Sequence, residues 1–372
     1  MKLWTLLFIG SWLTSCAQDP RIDDVPITEY SELKTELIAS GIEIPWGMAW
    51  LPNGDMLVTE KEGTLYRIHA QEDTTTEHKK TRITGVPEVY LRGQGGLLDV
   101  LVHPQFEQNN WIYLSYASEE GPGEGGHTAI ARATLQNDQL TDLRVLYKAT
   151  PNTTAGQHFG SRMVFGADSN LYFTIGERGE RDINPQDLQR DGGKVYHMTE
   201  SGAALPSPFQ DALPHIYSYG HRNPQGMILH PETNEIWLHE HGPRGGDEIN
   251  IVAAGANYGW PLVTYGTNYS GTEITDQRTG PGFTAPIYYW VPSIAPSGFA
   301  IITGDKYPEW NGNLLVGSLK FRYLEMLELD GKTVIKRTKL LQDIGRVRDV
   351  RLGPDGYIYV AVEGKGILRA VL

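Results

Sequence analysis

A six-bladed all-β propeller of four-stranded antiparallel blades accounts for three features of this 372-residue chain. One pattern recurs six times: an apolar strand, a turn rich in Pro, Asn, Asp and Gly, then a further strand. The composition suits turns and strands, with 42 Gly, 22 Pro, 19 Tyr and 9 Trp, where a helical bundle is poor in Gly and Pro. The copies also run to near the C-terminus. One closed body then explains a length that would otherwise suggest two or three domains.

The copies follow in order. Residues 46–51 lead through Pro52-Asn53-Gly54-Asp55 into 56–59, and 97–102 lead through His103-Pro104 into 111–116. Residues 161–166 lead through Asp168-Ser169-Asn170 into 171–175, and 225–229 through Pro231-Glu232-Thr233-Asn234 into 235–238. Residues 298–303 lead to Asn311-Gly312-Asn313 and 314–316, and 347–352 through Pro354-Asp355-Gly356 into 357–360. Each copy is a small antiparallel meander with hairpin-turn chemistry. A single meander cannot bury both faces, so neighbours must stack, and radial stacking protects the edges. The spacing exceeds a minimal blade, with the excess in Gly-rich inserts at 117–127, 176–193, 239–247 and 264–283. Those inserts are expected to gather on one face.

The charge balance, 32 basic against 45 acidic residues for a net −13, argues against a nucleic-acid binder, which needs a broad basic surface. One cysteine excludes an internal disulfide and any multi-thiolate metal site. That cysteine has a different use. Residues 1–15 combine Lys2 with a short apolar run and read as a signal peptide too short to span a bilayer. Leu13-Thr14-Ser15-Cys16 resembles a bacterial lipobox, so Cys16 is expected to become a lipidated N-terminus. The chain is then an exported lipoprotein on the periplasmic side of the outer membrane or at the cell surface, touching the membrane only through that lipid. Residues 16–40 read as tether and entry segment, with room at 30–39 for one or two helical turns. The propeller is expected over 41–372.

Two motifs mislead. Gly121-Pro122-Gly123-Glu124-Gly125-Gly126 matches G-x-G-x-x-G, but 128–135 reads as a strand where a helix should offer its N-terminus to a phosphate. His127 also stands where a P-loop needs lysine, so the stretch is a hairpin loop. His239-Glu240-His241 places two histidines on one strand face, and without a third ligand packing or cofactor contact is the better reading.

The chemistry gathers in loops. His158, in Gln157-His158-Phe159-Gly160-Ser161-Arg162, is suited to act as a general base near neutral pH. Gly220-His221-Arg222-Asn223-Pro224-Gln225-Gly226 opens the fourth blade. In the loop that follows, Gly242 and Pro243 can offer backbone carbonyls, oxygens that a hard cation such as calcium takes. Lys320, Arg322, Arg346 and Arg348 enter or leave the last two blades, and their convergence in an acidic protein suits a polyanionic small ligand.

On these motifs, with Pro45-Trp46-Gly47, Gly93-Gln94-Gly95-Gly96, Gly176-Glu177-Arg178-Gly179, Gly246-Asp247-Glu248-Ile249-Asn250 and Asn257-Tyr258-Gly259-Trp260-Pro261, the chain resembles the soluble quinoprotein sugar dehydrogenases. That pyrroloquinoline quinone (PQQ) family includes the aldose sugar and soluble glucose dehydrogenases, and the resemblance covers about 42–370. It implies that His158 takes the proton from the anomeric hydroxyl of an aldose, that Arg222 polarises the quinone, and that Gln94 and Asn223 line the site. It further implies that Lys320, Arg346 and Arg348 hold the PQQ carboxylates and that His241 contacts the cofactor. Gly242 and Pro243 would ligate the calcium on PQQ, and Glu248 and the Tyr258 carbonyl a second calcium. An external electron acceptor would complete the cycle.

The glucose-specific branch carries an aspartate directly before the histidine, whereas this chain has Gln157, and an amide adds no basicity by charge. The loops are also shorter, and both features favour the broader aldose-type enzymes. Two other readings share the scaffold. A calcium-dependent lactonase would want carboxylates and amides ringing a cation on the central channel. A non-catalytic glycan-binding propeller would not need the histidine and basic cluster together.

Overall fold

A computed structural model describes residues 25–71 and 76–372. Six sheets are arranged as six blades. Blade I comprises Pro45–Trp50, Met56–Glu60, Thr64–Ile68 and Lys80–Ile83. Blade II comprises Leu97–Val102, Trp111–Ser118, His127–Gln136 and Gln139–Lys148. Blade III comprises Met163–Phe165, Leu171–Ile175, Lys194–Met198 and Ile216–Tyr219. Blade IV comprises Pro224–Leu229, Ile236–Glu240, Asp247–Val252 and Tyr288–Trp290. Blade V is built from Pro296–Ile301, Leu314–Ser318, Leu324–Asp330 and Thr333–Leu340, and blade VI from Val347–Leu352, Ile358–Val362, Gly366–Val371 and Lys34–Ala39. The first strand of each blade lies innermost and touches the first strand of the next, and blade VI touches blade I, so the ring is closed.

Apolar wedges fill the spaces between blades. Leu315, Leu324, Val347 and Val360 pack between V and VI, and Tyr172, Val195, Met227 and Leu238 between III and IV. A middle strand is therefore covered on both faces and reads as a continuous apolar run, as Leu171–Ile175 does with every residue buried. The outermost strand Gln139–Lys148 faces water and is mostly exposed or partly exposed.

The entry segment departs from expectation. Residues 30–39 make no helical turn; Lys34–Ala39 pairs antiparallel with Gly366–Val371 and completes blade VI. Ile27–Tyr30 adds to blade V as a fifth strand, parallel to Arg337–Leu340. The propeller thus begins at Ile27 rather than at 41. The first described strands are thus clasped against late ones, an arrangement decided by pairing partners more than 300 residues apart. The signal peptide at 1–15 and the lipidated Cys16 lie outside the described residues. Among the described residues no helix is long and apolar enough to cross a membrane. Residues 119–126 are the loop of a regular hairpin, with Ser118 opposite His127, as the strand reading of 128–135 requires.

On the axis sits a buried ionic network. Arg162 Nη1 donates to Asp99 Oδ1 at 2.8 Å, Arg162 Nη2 lies 3.3 Å from Asp349 Oδ1, and Arg162 Nε donates to the Gln225 carbonyl at 2.9 Å. Arg351 pairs with Asp349 at 3.1 Å and with Asp99 at 3.6 Å. Asp349 also accepts the Met48 N–H at 3.1 Å, and Asp99 that of Met163 at 2.9 Å. Five of the six innermost strands or their leading residues are tied in this way. Asp99 and Asp349 are spent on arginines, so the carboxylate ring that a lactonase would present to a cation is not offered here.

Candidate active site

Over one end of the wheel lies a cleft of 610 Å³. It is walled by Gln94, by Gln157 and His158 ahead of blade III, by Glu177 and residues 179–183 within blade III, by Arg222 ahead of blade IV, and by Pro243, Trp260, Asn268 and Tyr269 within it. The inserts at 176–193, 239–247 and 264–283 thus meet on one face as expected, and the insert at 117–127 reaches the same neighbourhood, where the Gly126 carbonyl accepts from Arg178 at 3.2 Å.

The backbone around His158 is tightly determined. His158 itself has φ +57°, uncommon for a residue with a side chain. Its N–H donates to Gln94 Oε1 at 2.9 Å. Gly160, at φ +63°, passes so close to the neighbouring strand that a Cβ would stand 2.7 Å from the Gly176 nitrogen. Asn223 Oδ1 accepts the Gly160 N–H at 3.1 Å. Arg178 is fully buried, lies 3.4 Å over the Phe159 ring, and donates to the carbonyls of Gln157 and Ala155, the latter at 2.6 Å. Such an over-determined strained position is what a reactive side chain needs to be held in one place.

His158 Nδ1 hydrogen-bonds Glu177 Oε1. A carboxylate can only accept, so Nδ1 carries the proton and Nε2 keeps its lone pair. The basicity that Gln157 cannot supply is therefore supplied by Glu177, on the loop between the second and third strands of blade III. Glu177 stood in a recognised motif but received no role, because nothing local places residue 177 beside residue 158. Burial pulls His158 below the ordinary histidine range, Glu177 pulls it back up, and the Arg222 charge lowers it again. The imidazole is consequently neutral and base-competent at neutral pH. Glu177→Gln removes the raising contribution, so the acid limb of a kcat/KM–pH profile is expected to move to lower pH. Plateau turnover should fall by roughly one to two orders of magnitude with the weaker base. An unmoved limb would show that Glu177 does not act on the histidine.

Arg222 is buried beneath the cleft. Its backbone N–H donates to Glu240 Oε2 at 2.6 Å, and Nη1 donates to the carbonyls of His241 at 3.1 Å and Gly242 at 2.7 Å. One of the two carbonyls assigned to calcium is thus engaged by a guanidinium, while Pro243 lines the cleft. Burial, His239, Arg222, His158 and Arg348 together push His241 well below the histidine range. His239 does not pair with it as a metal ligand: Nε2 bonds the Gly298 carbonyl at 2.9 Å. Among the described residues no group of three or more His, Cys, Asp or Glu forms a metal cluster.

The last cations converge as well. Arg348 and Arg346 both pair with Glu363, Arg346 Nε at 2.7 Å and Arg348 Nε at 3.1 Å. Arg346 Nη1 donates to the Leu319 carbonyl at 3.1 Å, beside the exposed Lys320. Glu363 escaped the sequence reading. It lies in the turn after the second strand of blade VI and meets the arginines only because that strand pairs with the first. Arg322 is exposed, and its backbone takes φ +61°.

Buried polar atoms without partners mark what this site is built to hold. Arg222 Nε, His241 Nε2, Glu177 Oε2 and Asn223 Nδ2 have none among the described residues, and buried polar groups normally have one. Two arginines, Arg346 and Arg348, on one carboxylate, with such unpartnered polar atoms on the neighbouring blades, fit a planar polyanion. Glu248 is pushed well above the carboxylate range by burial and then by Glu240, and the neighbouring Asn250 Oδ1 is buried without a donor. That acid-and-amide pair fits a bound cation. Tyr258 packs nearby, stacked on His221 at 4.5 Å.

The chain is similar over most of its length to known proteins. The family model described as Glucose / Sorbosone dehydrogenase matches residues 42–369. Aldose sugar dehydrogenase YliI of Escherichia coli K12 is 40% identical over 342 residues, covering 89% of this chain and 90% of that protein. The apo crystal structure of the soluble aldose sugar dehydrogenase from E. coli superposes with a TM-score of 0.85 at 38% identity, covering 91% of this chain and 99% of that one. The PQQ-bound form of the aldose sugar dehydrogenase from Streptomyces coelicolor superposes with a TM-score of 0.75 at 28% identity, covering 91% and 98%.

Proposed function

We propose a function from the premise that this chain belongs to the Glucose / Sorbosone dehydrogenase family: it oxidises aldose sugars at the anomeric carbon to lactones, with PQQ and calcium. The observation that carries this reading is the His158–Glu177 pair in the same cleft as the Arg222 guanidinium. PQQ bound with calcium would supply the two-electron acceptor that no side chain provides. Lys320, Arg346 and Arg348 would hold its carboxylates, with Arg222, Asn223, Gln94 and His241 around its ring system. The carbonyls of Gly242 and Pro243 would face one calcium, and Glu248 with the Tyr258 carbonyl a second.

The chain's own contribution is positional and acid–base. His158 Nε2 takes the proton of the anomeric hydroxyl as the carbon beside it gives up its hydrogen with two electrons, leaving a C=O and hence a lactone. Glu177 steadies the imidazolium that results. Arg222 places a fixed positive charge where negative charge develops, in a site whose buried surroundings strengthen it. The two electrons leave to an external acceptor.

The test is reconstitution. Apoprotein mixed with PQQ and Ca²⁺ is expected to reduce a dye in the presence of an aldose, and to do neither with PQQ omitted nor with the sugar omitted. Failure with every aldose tried would remove the oxidation and favour a glycan-binding propeller. The export signal and the lipid on Cys16 are part of the same proposal, placing the enzyme on the periplasmic side of the outer membrane or at the cell surface. Membrane fractionation of the full-length chain checks that placement.

A further inference from the structure

A groove of 510 Å³ runs where the outer edge of blade V meets blade IV, and it shares no lining residue with the cleft. Three of its walls are large apolar side chains open to water: Ile27 is 53% exposed, Val291 50% and Phe321 40%. Such a grouping on one surface marks an interaction site. The surface is rigid. The Phe321 N–H donates to Ser318 Oγ at 3.0 Å, that hydroxyl donates to the Ile294 carbonyl at 2.8 Å, and the Leu319 N–H donates to the Ala295 carbonyl at 3.1 Å. Cations stand among the apolar groups. Lys320 Nζ lies 4.9 Å over the Phe321 ring, Arg322 is exposed, and Lys339 lines the groove with Glu29 at 3.9 Å.

The path of the chain points to what covers this groove. The propeller begins here: Val25 lines the groove, the Pro26 carbonyl accepts the Arg337 N–H at 2.8 Å, and Ile27 opens the strand that pairs with Arg337–Leu340. Between Val25 and Cys16, the residue expected to carry the lipid, stand eight residues, 17–24. At ~3.3–3.6 Å per residue, even full extension keeps the groove within about 30 Å of that lipid. The turn at 319–323 joins the second and third strands of blade V, as 176–193 does in blade III, and Val291 follows the fourth strand of blade IV. The groove therefore opens toward the same end of the wheel as the cleft, but at its outer edge.

We propose that this groove and the turn carrying Phe321 form a membrane-seating face. Ile27, Val291 and Phe321 enter the headgroup region of the phospholipid bilayer that holds the Cys16 lipid, with Arg322 and Lys339 against lipid phosphates. This rests on the lipidated Cys16 proposed above. The acyl chains supply the affinity for the membrane. The short tether then gives the face a high effective concentration at the lipid, so a few apolar side chains at headgroup depth suffice to fix the orientation. Cations beside anionic headgroups add to it. The wheel stands on its blade IV–V edge, with the cleft open to the aqueous side and Lys320 brought close to the lipid.

Fluorescence quenching on vesicles tests the seating. The full-length lipidated chain is placed in vesicles of phosphatidylethanolamine and phosphatidylglycerol that carry a nitroxide near the lipid headgroup. With Cys16 consumed by its lipid, one introduced cysteine takes the fluorophore, at Gln342→Cys in the groove or at Arg144→Cys on the outer strand of the opposite blade II. Quenching at position 342 is expected to exceed that at 144 roughly threefold, because a face seated in the interface lies within ~10 Å of the headgroups and the far blade does not. Adding Val291→Asp and Phe321→Asp to the Gln342→Cys chain should abolish the excess while the chain still floats with the vesicles through its lipid. Equal quenching at the two positions, or an excess that survives the two aspartates, overturns the seating and leaves the anchor standing. A mass spectrum with no lipid on Cys16 removes the anchor, and the seating falls with it.

Discussion

His158→Ala is expected to cut aldose-dependent dye reduction by about 10²–10⁴-fold, equivalent to about 3–5 kcal/mol of transition-state stabilisation. No other group replaces it. The neighbouring His241 is held well below the histidine range and its Nε2 has no partner among the described residues, and the Glu177 oxygen nearest the base is used in orienting it. The loss should fall on kcat and kcat/KM together, since the proton transfer is made only in the transition state. Spectroscopic titration with PQQ should show that the variant still takes up the cofactor, because the cations that would hold it lie on other blades. An alanine variant with full turnover would remove the assigned base while leaving the propeller untouched.

The second large effect is structural. Arg162→Met leaves Asp99 and Asp349 buried on the axis with Arg351 as their remaining cation. Removing one member of a buried ionic network costs about 3–5 kcal/mol, because the partner charge stays desolvated and uncompensated. For a chain of this size that lowers the melting temperature by roughly 4–7 °C.

The pH dependence has a definite sign. Burial already raises the Asp99 carboxyl against the opposing pull of Arg162 and Arg351. With Arg162 gone it rises further above its unfolded value, so the folded state binds the extra proton. Stability then falls as pH rises through the raised value, and the variant should stand closer to wild type at mildly acid pH than at neutral pH. Thermal melts across that range measure both the size and the sign; a midpoint that does not move would show that the network contributes nothing net.

Much of the wheel could be read in advance, and the reason is locality. Strand alternation and the turn residues Pro52-Asn53-Gly54 or Pro354-Asp355-Gly356 act over a few positions, so six meanders announce themselves without any knowledge of their neighbours. Of the residues expected at the site, Gln94, His158, Arg222 and Pro243 line the cleft. His158, Arg222, His241 and Arg348 influence one another electrically, Gln94 and Asn223 brace the histidine loop, and Arg346 reaches the backbone beside Lys320. The motifs containing them are compact, and each motif sits at the same end of its blade.

What could not be read was every feature made by pairing between distant segments. Lys34–Ala39 has no local preference strong enough to resist a partner strand, and its partner is the C-terminal strand. Glu177 and Glu363 are ordinary acidic residues until a sheet register turns one toward an imidazole and the other toward two guanidinium groups. Arg162 looked like one more polar residue in the histidine motif, and only the closed ring makes it the centre of the axis. Local composition and patterning thus determined the blades, the turns and the chemical identity of the cleft. Tertiary packing decided which acid activates the base, which acid steadies the cations and where the chain closes, because electrostatic and hydrogen-bonded pairings depend on distance in space, which spacing along the chain does not encode.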